Sequence, residues 1–152
     1  MQDVLLKQNS DGLYDLVTEG GSLASAEGFE SALVVSYFTD SRAPAVQVQE
    51  ARHRRGWAGN ISTILNERQL GGLLWLLDQV RIVADTLNLA EGYARGSLDW
   101  MAEDNVIRSV AIKAEKIGTR TINILTDITS IDNTVKRYVT LWRNTDFTRI
   151  LP

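Results

Sequence analysis

The chain contains no cysteine among its 152 residues. This excludes disulfides, thiolate catalysis and cysteine-based metal sites, and it leaves the redox compartment open. There is a single histidine, His53, and only two prolines. No excess of positive charge exists: the formal net charge is -3, so there is no electrostatic case for nucleic acid or an anionic membrane. Long apolar runs are absent too. The stretch 73–77 is the longest, far below the roughly 20 residues that span a bilayer. The first residues, Met1-Gln2-Asp3-Val4-Leu5-Leu6-Lys7, lack the charged-then-apolar pattern of a signal peptide. The expectation is a soluble intracellular protein, or one released by lysis.

What is present suits one domain. An apolar fraction of 44% supplies a core, and 23% charged residues is ordinary for a soluble chain. The segment 70–104 organises the reading. Leu70, Leu73, Leu74, Leu77, Val80, Ala84 and Leu87 recur at spacings of three and four, the signature of one helical face. A second set, Leu89, Tyr93, Ala94, Leu98 and Met101, predicts a second helical stretch, with a kink or break near Asn88. Gly71-Gly72 lacks the Lys-Ser/Thr of a phosphate loop and reads as a point of close packing.

Around this element, an N-terminal β-hairpin is expected from residues 4–6 and 13–17, turning at Asn9-Ser10-Asp11-Gly12. Glu19-Gly20-Gly21-Ser22 reads as a loop. Ser25 is the candidate N-cap of a helix carrying Phe29, Leu33 and Tyr37 and ending near Thr39-Asp40. Three strands follow the central helices. They are marked by Val106, Val110 and Ile112, by Ile122, Ile124 and Ile128, and by Val135, Val139 and Leu141, with Tyr138 and Trp142 on the last strand's opposite face. Short turns at Lys116-Ile117-Gly118 and Ser130-Ile131-Asp132-Asn133 imply an antiparallel meander. The fold class is therefore α+β: central long helices packed on a small antiparallel three-stranded meander, with an N-terminal β-hairpin and helix. One domain is expected over 1–142, followed by a tail at 143–152 with Phe147, Ile150 and Leu151.

No constellation points to catalysis. His53 lies in a basic loop with no nucleophile or carboxylate partner signalled by spacing, so it reads as a solvated residue. Adjacent carboxylates at Glu103 and Asp104 point about 100° apart on a helix and do not form an acid/base pair. No metal-ligand spacing occurs, and no cofactor is implied. The least regular region, 40–60, holds Arg52-His53-Arg54-Arg55 and Trp57. A loop of this length in a small domain is usually functional. Its arginines suit bidentate pairing with carboxylates on a protein partner. Trp57, Trp75, Trp100 and Trp142 read as core or interface anchors. Trp142 is expected at the surface of the isolated chain, to be covered in an assembly.

Several strings, taken in order, resemble a known family. They are Asp11-Gly12-Leu13-Tyr14-Asp15-Leu16, Phe38-Thr39-Asp40-Ser41-Arg42-Ala43, Arg55-Gly56-Trp57-Ala58-Gly59-Asn60 and Gly71-Gly72-Leu73-Leu74-Trp75-Leu76-Leu77. Tyr93-Ala94, Ser97-Leu98 and Trp100, ahead of Asp104, complete the set. Over residues 3–128 they resemble the small baseplate wedge proteins of Mu-like contractile-tail phages. The family's loop reads Arg-Gly-Trp-Trp-Gly-Asp, where this chain has Ala58 and Asn60. Its Gly-Ser is Gly71-Gly72 here, and the Glu-Pro-Arg signature of related wedge proteins is missing.

The resemblance implies a structural, non-enzymatic virion component, assembled in the host bacterial cytoplasm. Such proteins sit in the inner baseplate ring around the central spike and hub. They clamp larger wedge subunits and offer a sheet edge that templates the first layer of tail sheath. The fold is sometimes labelled lysozyme-like. On this reading the loop with Arg52, Arg54, Arg55 and Trp57 meets the wedge subunits. The strand with Val135, Tyr138, Val139 and Trp142, or its neighbour, is expected to accept a sheath strand. No nucleic acid and no membrane enter. The alternatives are a peptidoglycan hydrolase, which a zymogram would reveal, and a standalone assembly adaptor.

Overall fold

The computed structural model describes residues 2–61, 68–78, 80–143 and 149–151. Three small antiparallel ladders begin the chain. Strand β1 (Gln2–Val4) pairs with β6 (Ser25–Glu27), β2 (Leu6–Gln8) with β3 (Tyr14–Leu16), and β4 (Thr18–Glu19) with β5 (Ser22–Leu23). The expected hairpin is β2–β3. Asn9 Oδ1 holds its turn by accepting the N–H groups of Asp11 and Leu13. The expected loop at Gly20-Gly21 is itself a tight hairpin, both glycines having positive φ (58° and 83°), as a two-residue primed turn requires.

Helix α1 (Glu30–Phe38) starts later than the Ser25 cap would place it. Ser25 instead pairs with Val4 in the β1–β6 ladder, so strand pairing overrides local capping preference there. Phe29, Leu33 and Tyr37 are buried as their spacing predicts.

The single long periodic segment divides differently from the expectation. A 3-10 turn covers Leu74–Leu77, and helix α2 runs over Ala84–Glu103. The break thus precedes Ala84, and Asn88 lies inside α2. Val83 is extended at φ −127°, ψ 175°. Its N–H donates to Thr86 Oγ1 (3.4 Å), and that hydroxyl donates to Arg81 O (2.6 Å). The β-branched run Val80, Ile82 and Val83 disfavours helix in the same place. Gly71 also matters. At φ 103° it turns the chain where a Cβ would stand 2.2 Å from Thr39 O, so only glycine fits. Gly72 lies against Ser97 of α2 in the same way, as the close-packing reading expects.

Strands β7 (Ser109–Ile117), β8 (Thr121–Thr129) and β9 (Val135–Arg143) form the expected meander. A fourth strand, β10 (Arg149–Leu151), extends the sheet in the order β10-β9-β8-β7. It comes from the tail, whose Phe147 lies outside the described residues. On β8 the buried and half-buried residues alternate along its whole length. Ile122, Ile124 and Ile128 turn to the helices, where Ala90, Ala94, Leu98 and Met101 of α2 are fully buried. Complete burial of a Leu, Ile or Met side chain contributes about 1.5–3 kcal/mol, so this helix–sheet interface is the main stabilising layer. Tyr37 OH and Thr126 Oγ1, 2.8 Å apart, satisfy each other inside it and tie α1 to β8. Burial pushes the Tyr37 phenol well above its usual range, so it stays neutral. Among the described residues, no helix is long and apolar enough to cross a membrane.

Candidate functional site

Residues 40–60 are ordered by their own polar groups. Asp40 forms a parallel bridge with Gly72, and Ser41 N–H donates to Gly72 O at 3.0 Å. Trp57 N–H donates to Asp40 O, and Ala43 N–H to Arg54 O, at 2.8 and 2.9 Å. The indole N–H of Trp75 reaches back to Ser41 O at 2.9 Å. Pro44 accepts from Gln47 and Val48 to make the turn at the far end.

Arg55 holds the two ends together. Its Nη1 donates to Asp78 Oδ2 at 2.9 Å and lies 3.4 Å from Asp40 Oδ2. Its guanidinium sits 4.7 Å from the Trp75 ring centroid, a cation–π contact. One cation thus serves two carboxylates. Burial holds the Asp40 carboxyl above its usual range, and Arg55 offsets only part of that rise. Arg54, half-buried, is engaged by the loop itself: it donates to Val48 O and Gln49 O at 2.8 and 2.9 Å. Arg55 remains exposed while making its bonds, and so are Arg52, paired to Glu50 at 2.7 Å, and Trp57, at 50% exposure. Trp57 lies over Gly59, where any Cβ would meet the ring at 2.2 Å. His53 is exposed beside the same Glu50. The loop therefore presents Trp57 and Arg52 on a base shaped by Arg54 and Arg55.

The second predicted cluster divides across the two faces of β9. Tyr138 and Trp142 are buried, at 4% and 3% exposure, against the helices. Trp142 is thus a core residue, contrary to the surface position expected for it, because its strand face is the one that packs on the helical layer. Tyr138 is equally internal, its hydroxyl accepting Phe29 N–H at 3.1 Å. Val135 is exposed and Val139 half-buried, on the opposite face.

The two edges of the sheet differ. Along β7, α2 closes the outer side: Glu91 Oε1 accepts Ala114 N–H at 2.9 Å, and Arg95 Nη1 approaches Val110 O at 3.4 Å. By strand alternation, Val135, Arg137, Val139 and Leu141 carry the outward backbone groups of β9. Val139 and Leu141 face Leu151 and Arg149 of β10. Among the described residues, no strand pairs with Val135 or Arg137 on that side.

Glu103 and Asp104 are both held by one residue that sequence reading passed over. Arg68 donates to Asp104 Oδ2 at 2.7 Å and to Glu103 Oε2 at 2.9 Å. Its hydrogen bonds hold the Asp104 carboxyl below the usual carboxylate range. The arrangement is a clamp of one guanidinium on two carboxylates. Among the described residues, no cluster of three histidine or carboxylate side chains is placed to hold a metal. Asp40, Asp78 and Arg68 gave no local signal, since their partners are 15 to 36 residues away. Glu91 and Arg95 were visible only as an i, i+4 pair on a helix surface.

A model of the family described as phage protein GP46 matches residues 29–135. That is most of the chain. It belongs to the phage protein GP46 family. Baseplate protein gp46 of Escherichia phage Mu is 27% identical over 131 residues, spanning 85% of this chain and 88% of that protein. The Mu-like prophage FluMu protein gp46 of Haemophilus influenzae is 31% identical over 115 residues, spanning 75% and 76%. No solved structure matches. Within this GP46 protein, the matched region runs from the start of α1 to the first residue of β9. It contains the Arg55 knot and the helix-capped β7 edge. The N-terminal ladders and nearly all of β9 and β10 lie outside it.

Proposed function

We propose that this chain is a structural, non-enzymatic component of a contractile-tail baseplate, part of its inner wedge ring. In this role it clamps larger wedge subunits near the central spike and hub, and it templates the first sheath layer by strand addition. The name of its Mu relative, a baseplate protein, supports the coarse role. The asymmetry of the sheet carries the finer one. Side chains of α2 occupy the β7 edge, so an incoming strand has the β9 side to join. There it meets the exposed start of β9 at Val135 and Arg137, beside a three-residue β10. Backbone hydrogen bonds would supply affinity, and alternate side chains the register. Tyr138 and Trp142 hold that strand on the core, while Val135 and Val139 lie on its other face. The loop supplies the wedge contact through Trp57 and Arg52, with Arg54 and Arg55 as its frame. An aromatic beside an arginine is the usual composition of a protein–protein hot spot.

Val135→Pro tests strand addition. Proline is tolerated at the first residue of a strand, so the variant is expected to fold, checked by thermal denaturation. Electron microscopy of particles carrying it should show baseplates without sheath. Sheaths of normal length on a folded variant would overturn this assignment. For the loop, Trp57→Ala with Arg52→Ala should give a folded chain that is missing from baseplates; normal incorporation would overturn it.

A further inference from the structure

Arg55 holds a backbone angle that residues other than glycine rarely adopt. Its φ is 48°, and Gly56 follows at 115°. Two consecutive residues in the left-handed region turn the chain sharply between Arg54 and Trp57. A turn of this kind persists only where its surroundings over-determine it. The knot with Asp40, Asp78 and Trp75 fixes the Arg55 side chain and leaves its peptide group to be held by something else.

Arg42 holds that peptide. Its Nη1 donates to Arg55 O at 3.2 Å and its Nη2 to Ala51 O at 3.1 Å. The first carbonyl belongs to the peptide between Arg55 and Gly56, the second to the peptide between Ala51 and Arg52. One planar guanidinium thus ties together two arms of the loop, one leading into Arg52 and the other into Trp57. The backbone of Arg42 takes part as well. A Cβ at Gly56 would stand 3.0 Å from Arg42 Cβ and 3.3 Å from its Cα, so the turn lies directly on this residue.

Trp57 has little freedom left. Its N–H is taken by Asp40 O at 2.8 Å, and its carbonyl accepts Asn60 N–H at 3.1 Å. One side of its ring is against Gly59, yet half of the side chain is exposed. It is therefore placed before any partner arrives, which removes an ordering cost from association. Arg42, Ala51 and Arg55 are all exposed, so water can satisfy the two carbonyls if the guanidinium is removed. The bonds of Arg42 accordingly supply loop geometry more than fold stability.

We infer that Arg42 is a positioning residue, which sets the spacing of Arg52 and Trp57 for the protein partner that meets this loop. The inference rests on the contact role proposed for the loop.

The test is Arg42→Ala in the full chain. Thermal denaturation should place it within a few degrees of the parent. NMR relaxation of the indole N–H groups should show Trp57 loosened, while Trp75, Trp100 and Trp142 keep their order. Co-expressed with the parent chain, the variant should be depleted in purified particles about two- to tenfold by quantitative mass spectrometry, the order expected when one side chain is no longer ordered in advance. A parental share in particles overturns the inference. So does depletion with Trp57 relaxation unchanged, or with all the indoles loosened together, since Arg42 would then serve the fold and not the contact. Trp57→Ala in the same competition separates the two readings. If it too enters particles as the parent does, the loop is not the contact and the role of Arg42 falls with it. If Trp57→Ala is depleted and Arg42→Ala is not, the loop contact stands and the positioning role alone fails.

Discussion

Glu91 Oε1 accepts the outward N–H of Ala114 at 2.9 Å, so a helix side chain stands where a partner strand would pair with β7. Glu91→Ala should leave that N–H unpaired. A hydrogen bond to a charged group contributes about 1.5–3 kcal/mol when partly buried, so a stability loss at the lower end is expected. Amide hydrogen exchange should show faster exchange at Ala114, and sedimentation should show new self-association through the opened edge. Unchanged protection at Ala114 would mean that the carboxylate does not guard this edge.

The Arg55 knot makes a separable prediction. Arg55→Ala removes the cation shared by Asp40 and Asp78 and the contact on Trp75. Trypsin should then cut after Arg52 or Arg54 several-fold faster, while the sheet keeps its circular dichroism signal. Arg55→Lys should rescue only part of this, because a point charge lacks the planar fork and stacks poorly on an indole. Equal cleavage rates for all three proteins would show that the loop is held by its backbone bonds alone.

Trp142 and Tyr138 should behave as core residues. Trp142→Ala is expected to cost about 3–5 kcal/mol, as large-to-small core changes do. Tyr138→Phe keeps the ring and loses only the partner of Phe29 N–H, for about 1–2 kcal/mol. Chemical denaturation of both variants checks the order. A Trp142→Ala protein as stable as its parent would place that ring outside the core.

Acid should weaken the sheet through Asp127. Arg137 Nε donates to Asp127 Oδ1 at 2.6 Å and its Nη2 to Oδ2 at 2.7 Å, holding that carboxyl below its ordinary value of 3.8. A carboxylate lowered in the folded state stabilises above its unfolded pKa, and that contribution disappears as pH falls through the folded one. Denaturation midpoints at pH 7, 4 and 3 should therefore drop less in Asp127→Asn than in the parent below about pH 4. A parallel decline in both would assign the acid sensitivity elsewhere.

Much of the architecture was legible because it is local. The alternation of Ile122, Ile124 and Ile128, the Phe29–Leu33–Tyr37 spacing and the turn residues Asn9 to Gly12 each act over a few positions. The break ahead of α2 was misplaced because the three-and-four spacing continues from Leu70 through Leu87 without a gap. The turn there is held by distant contacts, Gly71 on Thr39 and Asp78 on Arg55. Periodicity cannot register those contacts.

The functional surfaces divide along the same line. The sequence by itself determined that the chain lacks thiols, basic excess and membrane-length runs, that it is an α+β domain, and that its ordered motifs resemble one phage family. Only the tertiary structure decided which residues of those motifs face outward. Arg54 and Arg55 are engaged within the chain, by the Val48 and Gln49 carbonyls and by the Asp40 and Asp78 carboxylates, and Trp142 is buried because its strand face is the one that meets the helices. The covering of the β7 edge was decided by α2 lying along it, a packing relationship between elements that no single stretch of the chain encodes.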